Sequence, residues 1–405
     1  MSLISDQVLD EIKKDLKENH SELFLDAFSD LEAREVLKEV LRSTHGTLLS
    51  NEERLNYVIQ ETVGLGVIDD IINKNPLVTD ISFNSTDLIV ETPEEKYIYD
   101  KSISEDYIIK IIQKFAYAVG KELTPKNPIL DASFGYLRLN AIHKVNATYG
   151  TTMSIRVSRP RLVLTEKNFE NFAPKYMLDF FKAAIETKRN ILISGEVGTG
   201  KTELSKLFTS FIRFNEKVCH AEDTKESHLK VLFPEKDILS TLTSTSVSYS
   251  DLIKAFLRNN PVWIIIAEVR DQAAYELIQA VLSGHSTIST LHTVNAEASP
   301  TRLVNMAKMG YDIDEKALMD DIYRYFHLGV HVKKKKIHGK TVRYLSEVVE
   351  YLEGGKTLTI FKVEEINNQF KYEVGNYSDD FAKKLLEVGS EYKGLPKTEV
   401  NLIEV

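Results

Sequence analysis

The clearest chemistry in the chain lies in Gly195-Glu196-Val197-Gly198-Thr199-Gly200-Lys201-Thr202. This run fits G-x-x-x-x-G-K-[ST], the spacing of a loop that cradles nucleotide phosphates. Gly195, Gly198, Thr199 and Gly200 supply backbone N–H groups, and the glycines let those groups approach phosphate oxygens with no Cβ in the way. Lys201 is placed to reach the β- and γ-phosphates, and the Thr202 hydroxyl to hold Mg²⁺. Glu203 follows at the start of a helix whose free N–H groups favour an anion. The ligands this pattern predicts are ATP and Mg²⁺.

Such a loop needs a strand before it and a helix after it. Asn190 to Ser194 is a short apolar run that reads as a buried parallel strand, and Glu203 to Phe208 has apolar residues at helical spacing. From about 165 to 330, strands alternate with helices, which predicts a parallel sheet with helical crossovers. The expected strands are 190–194, 217–222, 262–268 and 286–292. Ligands of such sheets bind beyond the carboxyl ends of the strands, so those ends hold the other candidates. The second strand ends in Glu222-Asp223-Thr224-Lys225-Glu226, the third in Glu268 and the fourth in His292. A carboxylate there is placed to hold Mg²⁺ or to orient an attacking water. Thr202, Glu268, Asp223 and Glu226 are the expected metal-side residues. A carboxylate after a strand is also a common helix cap, which leaves a purely structural role open for Asp223 and Asp271. On spacing alone His285 and His292 are more often structural, and no His-Glu-x-x-His pattern marks a permanent metal site. Phosphoryl transfer calls for an arginine near the developing charge. Spacing does not rank Arg138, Arg156, Arg159, Arg161, Arg258, Arg270 and Arg302.

Four segments are expected. Residues 1–60 read as a charged helical extension, with Leu9, Ile12 and Leu16, then Leu31, Val36, Leu37 and Leu41, at helical spacing. Residues 61–160 read as a small α/β domain. It has a hairpin of Ile81–Asn84 and Asp87–Glu91, an amphipathic helix over Tyr107–Val119, and strands at Leu137–Ile142 and Thr152–Val157. Ser158-Arg159-Pro160-Arg161 breaks both periodicities and marks a linker to the nucleotide domain at 161–330. Residues 331–405 read as a β-rich extension, a small antiparallel sheet with turns at His338-Gly339-Lys340 and Glu353-Gly354-Gly355-Lys356. Lys333 to Lys336 are expected on an exposed strand end, where lysines discourage edge pairing, with a phosphate or lipid patch as the minor alternative.

Composition narrows the class. The chain has 405 residues, 43% of them hydrophobic, and a net charge of −9, so no global field favours nucleic acid. Met1 to Asp6 lack the basic and apolar regions of a secretory leader, and no apolar run approaches the ~20 residues that span a bilayer. A cytoplasmic protein is expected. The single cysteine, Cys219, rules out an internal disulfide framework and reads as a core residue.

Taken together, the motifs resemble the type II/type IV secretion ATPases. Glu222-Asp223-Thr224-Lys225-Glu226 is similar to their acidic box. Glu268-Val269-Arg270, with Ala273 to Gly284-His285, is similar to their second acidic motif and its helix. Ser289 to Ala296 is similar to their histidine box. Upstream, Gly64 to Ile68, Val78 to Asn84, Arg138 to Ala141 and Ser154 to Arg156 resemble the family's N-terminal domain. The resemblance covers about residues 60 to 365 and looks nearest to the Tad-type pilus subgroup. It implies a hexameric ring whose subunits bind ATP with an N-terminal α/β domain and a RecA-like domain. It raises Arg138 and Arg156 as charge-stabilising residues and His285 and His292 as coupling or sensor residues. Glu268 becomes the residue that polarises water and positions Mg²⁺, with Glu222 as the competing base. Asn260 and Val262 depart from the Arg and Asp common in the family, which puts one intersubunit charge contact in doubt.

The expected function is an ATP-driven motor for pilus assembly, protein secretion or conjugative transfer, working on an inner-membrane platform protein from the cytoplasmic face. Two alternatives stay open: a P-loop kinase and a nucleotide-gated scaffold without turnover.

Overall fold

A computed structural model describes residues 3–49, 51–337, 340–366, 369–396 and 402–404. The chain divides into two compact units, Met1–Ser158 and Arg159–Val405.

The first unit begins with helices Asp6–Asn19, Ser21–Ser29, Leu31–His45 and Glu52–Thr62. They bury Leu9, Ile12, Leu16, Leu37, Leu41, Leu55 and Val58 in a core of their own. Val36, expected on the apolar face, is 53% exposed. Positions 37 and 41 stack one turn apart, and 36 is rotated away from them. Six strands follow: β1 (Asp80–Phe83), β2 (Leu88–Glu91), β3 (Lys96–Ile98), β4 (Ile129–Phe134), β5 (Leu137–Ile142) and β6 (Thr152–Val157). They form one antiparallel sheet in the order β3-β2-β1-β6-β5-β4. Alternate residues, such as Ile81, Phe83, Leu139 and Ile155, pack against Ile108, Ile111, Ile112 and Phe115 of helix Glu105–Ala118. Ser104 caps that helix by accepting the Tyr107 N–H. A period of two in the strands and of 3.6 in the helix give this layer one dry face.

The second unit is built on a single ten-stranded sheet. Its strands are β7 (Ile191–Ser194), β8 (Val218–Glu222), β9 (Ile238–Leu242), β10 (Trp263–Ile266), β11 (Ser286–Leu291), β12 (Leu328–Ile337), β13 (Lys340–Leu352), β14 (Lys356–Ile366), β15 (Gln369–Val374) and β16 (Leu402–Glu404). The order is β16-β15-β14-β13-β12-β7-β11-β10-β8-β9. From β12 through β9 the pairs are parallel; from β12 through β16 they are antiparallel. The central strands have no polar face because both faces are covered. Ile191, Ile193, Trp263 and Ile265 enter one core, while Leu192, Ile264 and Ile266 enter the other. Two-sided burial turns the alternation of an ordinary strand into a continuous apolar run. Cys219 is fully buried in the second of these cores. Burial pushes its thiol up to about 11.

The tail differs from expectation. Its strands are not a separate small sheet: β12 pairs in parallel with β7, so the antiparallel strands continue the nucleotide-domain sheet. The expected boundary at 330/331 falls inside β12. Lys333–Lys336 form the end of that strand beyond its pairing with β7, which stops at His331; they pair with β13 on one side, and Lys333, Lys334 and Lys336 are exposed, as expected. The turn expected at His338-Gly339-Lys340 lies partly outside the described residues. Among the described residues, no helix is long and apolar enough to cross a membrane.

Candidate active site

Four neighbouring strands, in the spatial order β7-β11-β10-β8, deliver their carboxyl ends to one edge of the sheet. From β7 the chain turns through Gly195 to Gly200 into helix Lys201–Phe211. Gly195, Gly198 and Gly200 have φ of 149°, 74° and 99°, values a residue with a Cβ rarely adopts. At Gly195 there is also no space, because a Cβ would collide with the carbonyl oxygen of Val332 on β12.

Side chains hold the loop's carbonyls. Lys201 Nζ donates to Gly195 O and to Glu196 O, both at 2.9 Å. The Thr199 hydroxyl donates to Glu196 O at 2.9 Å. Burial pulls the Lys201 ammonium down to about 8; Glu268 opposes the shift and Lys334 adds to it. His292, just past β11, has Nδ1 2.9 Å from Gly195 O and 3.3 Å from Lys201 Nζ. Protonated, that nitrogen serves the carbonyl; unprotonated, it accepts from the lysine. On the other side of the ring, Nε2 is 3.4 Å from Glu268 Oε1.

Glu268 follows β10. Arg270 grips it bidentately, Nε to Oε1 and Nη2 to Oε2, both at 2.7 Å. A third Arg270 bond, from Nη1, reaches Asp223 Oδ2 at 3.1 Å past the end of β8. Burial favours the neutral form of Glu268. The Arg270 hydrogen bonds and charge, with His292 and Lys201, outweigh it and hold the carboxyl below its usual range. The contacts therefore run Lys201, His292, Glu268, Arg270, Asp223, in the same order as the strands that carry them. Arg270 was one of seven unranked arginines in the sequence; its place here is set by the β10–β8 pairing.

Other expected residues are placed differently. Glu222 is buried, and its Oε2 accepts the backbone N–H groups of Glu226 (3.1 Å) and Ser227 (2.9 Å). Its carboxylate thus shapes the acidic loop, which weakens its case as the competing base. Glu203 accepts the Val163 N–H at 3.0 Å and pairs with Lys206 at 2.6 Å. Thr202 lies in the first turn of the loop's helix. His285 precedes β11, at the amino end of the strand, with Nδ1 3.1 Å from Ala280 O. At ~3.3 Å per residue this is about 23 Å from His292, so the chain does not bring His285 to its own site. Arg138 and Arg156 belong to the first unit. They are direct partners across β5 and β6 and pair with Asp131 and Asp80, each at 3.3 Å.

Two more residues join this site: Lys334, from the run whose minor reading was a phosphate patch, and Arg343, which carried no signal as a site residue in the sequence. Lys334 Nζ donates to Val197 O at 2.8 Å, and Arg343 Nε donates to Gly198 O at 2.9 Å. Only the pairing of β12 with β7 brings them to the loop.

Among the described residues, no group of three or more His, Cys, Asp or Glu side chains forms a metal cage. Magnesium in nucleotide sites takes only one or two protein ligands, the rest being phosphate oxygens and water. One hydroxyl, Thr202, and the carboxylates beyond β10 and β8 fit that demand.

Fold and site define a P-loop nucleotide-binding protein. A family model described as "Type II/IV secretion system protein" matches residues 135–324. An uncharacterised protein of Bacillus anthracis is 47% identical, over 96% of this chain and 92% of that one. The type IV secretion system protein VirB11 of Bartonella quintana is 32% identical over 42% of this chain and 49% of its own length. The solved structure of the pilus retraction motor PilT with bound ADP matches with a TM-score of 0.51 and 20% identity, over 69% of this chain and 82% of that one. This last likeness is one of fold, an N-terminal domain followed by a RecA-like ATPase domain. The chain belongs to the type II/type IV secretion ATPase family. Lys334 and Arg343 lie beyond the stretch that the family model matches.

Proposed function

We propose that this protein is a Mg²⁺-dependent, ATP-hydrolysing motor. It works as a hexameric ring at the cytoplasmic face of the membrane, on a platform protein of a secretion or pilus machine. The carrying observation is the chain of contacts from Lys201 through His292 to Glu268, which links the phosphate loop to an ionised carboxylate.

Thr202 and Glu268 are the residues that would hold Mg²⁺, with Asp223 and Glu226 next in reach of its water shell. Bound with ATP, the ion neutralises charge on the β- and γ-phosphates. Lys201 exchanges the carbonyls of Gly195 and Glu196 for phosphate oxygens. Glu268 orients the attacking water and takes up its proton; Arg270 fixes the direction of that carboxylate. His292, between Lys201 and Glu268, reports the state of the phosphate end to the carboxylate. Arg138 and Arg156 are proposed as charge-stabilising residues on the family resemblance.

The test is Glu268→Gln, which keeps the size of the side chain but removes the base and one of the two oxygens that accept from Arg270. ATP binding should stay within a few-fold of wild type, and phosphate release should fall by about 10²–10⁴, the usual contribution of a general base. Normal hydrolysis by this variant would end the assignment of Glu268. Phosphate transferred to an acceptor instead of released would replace the motor with a kinase.

A further inference from the structure

We infer that Lys334 and Arg343, opposed on the β12–β13 hairpin, are positioning residues that hold the phosphate loop in its anion-binding shape. The inference deepens the nucleotide reading of this same site and rests on it.

Four consecutive loop carbonyls are each held by a side chain. Gly195 O and Glu196 O accept from Lys201, Val197 O from Lys334, and Gly198 O from Arg343. These four bonds are not equivalent. Lys201 must release its two carbonyls when it turns to a phosphate. Lys334 and Arg343 need not move, so the loop keeps two of its carbonyls anchored while the lysine changes partner.

An anchored carbonyl matters because of the peptide unit it belongs to. Val197 O shares its peptide with the Gly198 N–H, and Gly198 O shares its peptide with the Thr199 N–H. Holding those oxygens on the hairpin side stops either peptide from flipping and presenting an oxygen to the phosphates. A cation on the oxygen also polarises the N–H across the peptide and strengthens it as a donor. Two loop amides are thereby aimed and sharpened by side chains that need not touch the nucleotide.

Two further observations fit this role. Lys334 and Arg343 are direct cross-strand partners, and like charges so placed normally destabilise a strand pair. Among the described residues neither forms a salt bridge; the loop carbonyls they donate to, with the Glu203 charge acting on Arg343, offset the repulsion. The loop also leaves room for Lys334: a Cβ at Gly198 would sit 3.2 Å from its Nζ, tighter than side chains usually pack, whereas one at Gly200 would meet Arg343 Cδ at an ordinary 3.8 Å.

The experiment uses the full chain and titrates MgADP into wild type, Lys334→Met with Arg343→Met, and the charge-retaining Lys334→Arg and Arg343→Lys. Melting temperature without nucleotide is recorded for each, and KM and kcat for ATP where turnover is measurable. The double Met variant should keep its nucleotide-free melting temperature and lose about tenfold or more in MgADP affinity, on the scale of one charge-assisted hydrogen bond. KM should rise more than kcat falls, and Lys334→Arg should recover most of the loss. Wild-type affinity in the double Met variant would overturn the inference. So would a loss that merely follows a lower melting temperature and is not recovered when charge is kept. The nucleotide reading is checked separately. If wild type and Lys201→Ala both fail to bind MgADP, that reading falls and takes the inference with it. If Lys201→Ala loses binding while the double Met variant keeps it, only the inference falls.

Discussion

Lys201 shows how burial sets the working range of a phosphate-binding cation. Water-poor surroundings favour the neutral amine, and the ammonium is pulled down to about 8 from the usual ~10.4. Phosphate binds the charged form, so the affinity for MgADP should weaken as pH rises from 7 to 9. Lys201→Arg, charged throughout this range, should flatten that dependence. Titration calorimetry at several pH values decides it; an equal slope in both proteins would remove Lys201 as the cause. The stability of the free protein has the opposite sign. The unfolded chain holds more protons between about pH 8 and 10, so the folded state gains stability there. Glu268 is also held low, which for an acid favours the charged form, because Arg270, with His292 and Lys201, more than offsets its burial. A base that stays ionised through neutral pH and a cation that titrates just above it leave the site charged as phosphate chemistry requires.

At the scale of elements, the site follows from parallel strands whose ends align. That architecture needs both faces of each strand to be dry, and β8 tests the limit. His220 sits in the middle of β8, fully buried, with neither ring nitrogen hydrogen-bonded among the described residues. Burial pulls it down to about 4, and His331 on β12 likewise to about 4. His327, just before β12, is pulled to about 3 by burial and by Arg189. An unfolded histidine titrates near ~6.5. Between pH 6.5 and 4 the unfolded chain therefore binds more protons, and stability falls as pH falls through that window. Each such histidine adds a slope of up to about 1.4 kcal/mol per pH unit. His220→Leu should remove one proton's worth of that slope, read from urea unfolding at a series of pH values. An unchanged slope would mean that the strand opens to water before His220 charges.

At the scale of the whole molecule, the proposal of a ring predicts how activity depends on concentration. Phosphate release per chain should rise steeply across a hundredfold range of protein concentration, as assembly completes the site. Sedimentation velocity over the same range should show the larger species appearing in step. A flat, measurable rate with no change in sedimentation would mean that each chain is competent alone, which removes the ring from the mechanism and leaves the loop chemistry intact. Binding of ATP with no release at any concentration would favour the scaffold over the motor.

The phosphate loop, the strands that flank it, and Glu268 and His292 at neighbouring strand ends were legible in the sequence. Their signals are local: a glycine spacing, an unbroken apolar run, a carboxylate where that run stops. The N-terminal hairpin and the helix over 105–118 were legible for the same reason, since one period of two and one of 3.6 are written within a few residues. What depends on pairing between distant segments was not. The lysine run read as an edge device, and only the docking of β12 beside β7 makes Lys334 a partner of the loop. Arg270 was one arginine among seven until β10 lay beside β8 and Glu268 met it together with Asp223. Glu222 read as a base, yet the backbone turn after β8 occupies one of its oxygens. Local spacing determines which residues carry chemistry, because backbone geometry acts over one turn or one strand. Tertiary structure decides which of them meet, because strand order and register bring together groups that lie as many as 145 residues apart.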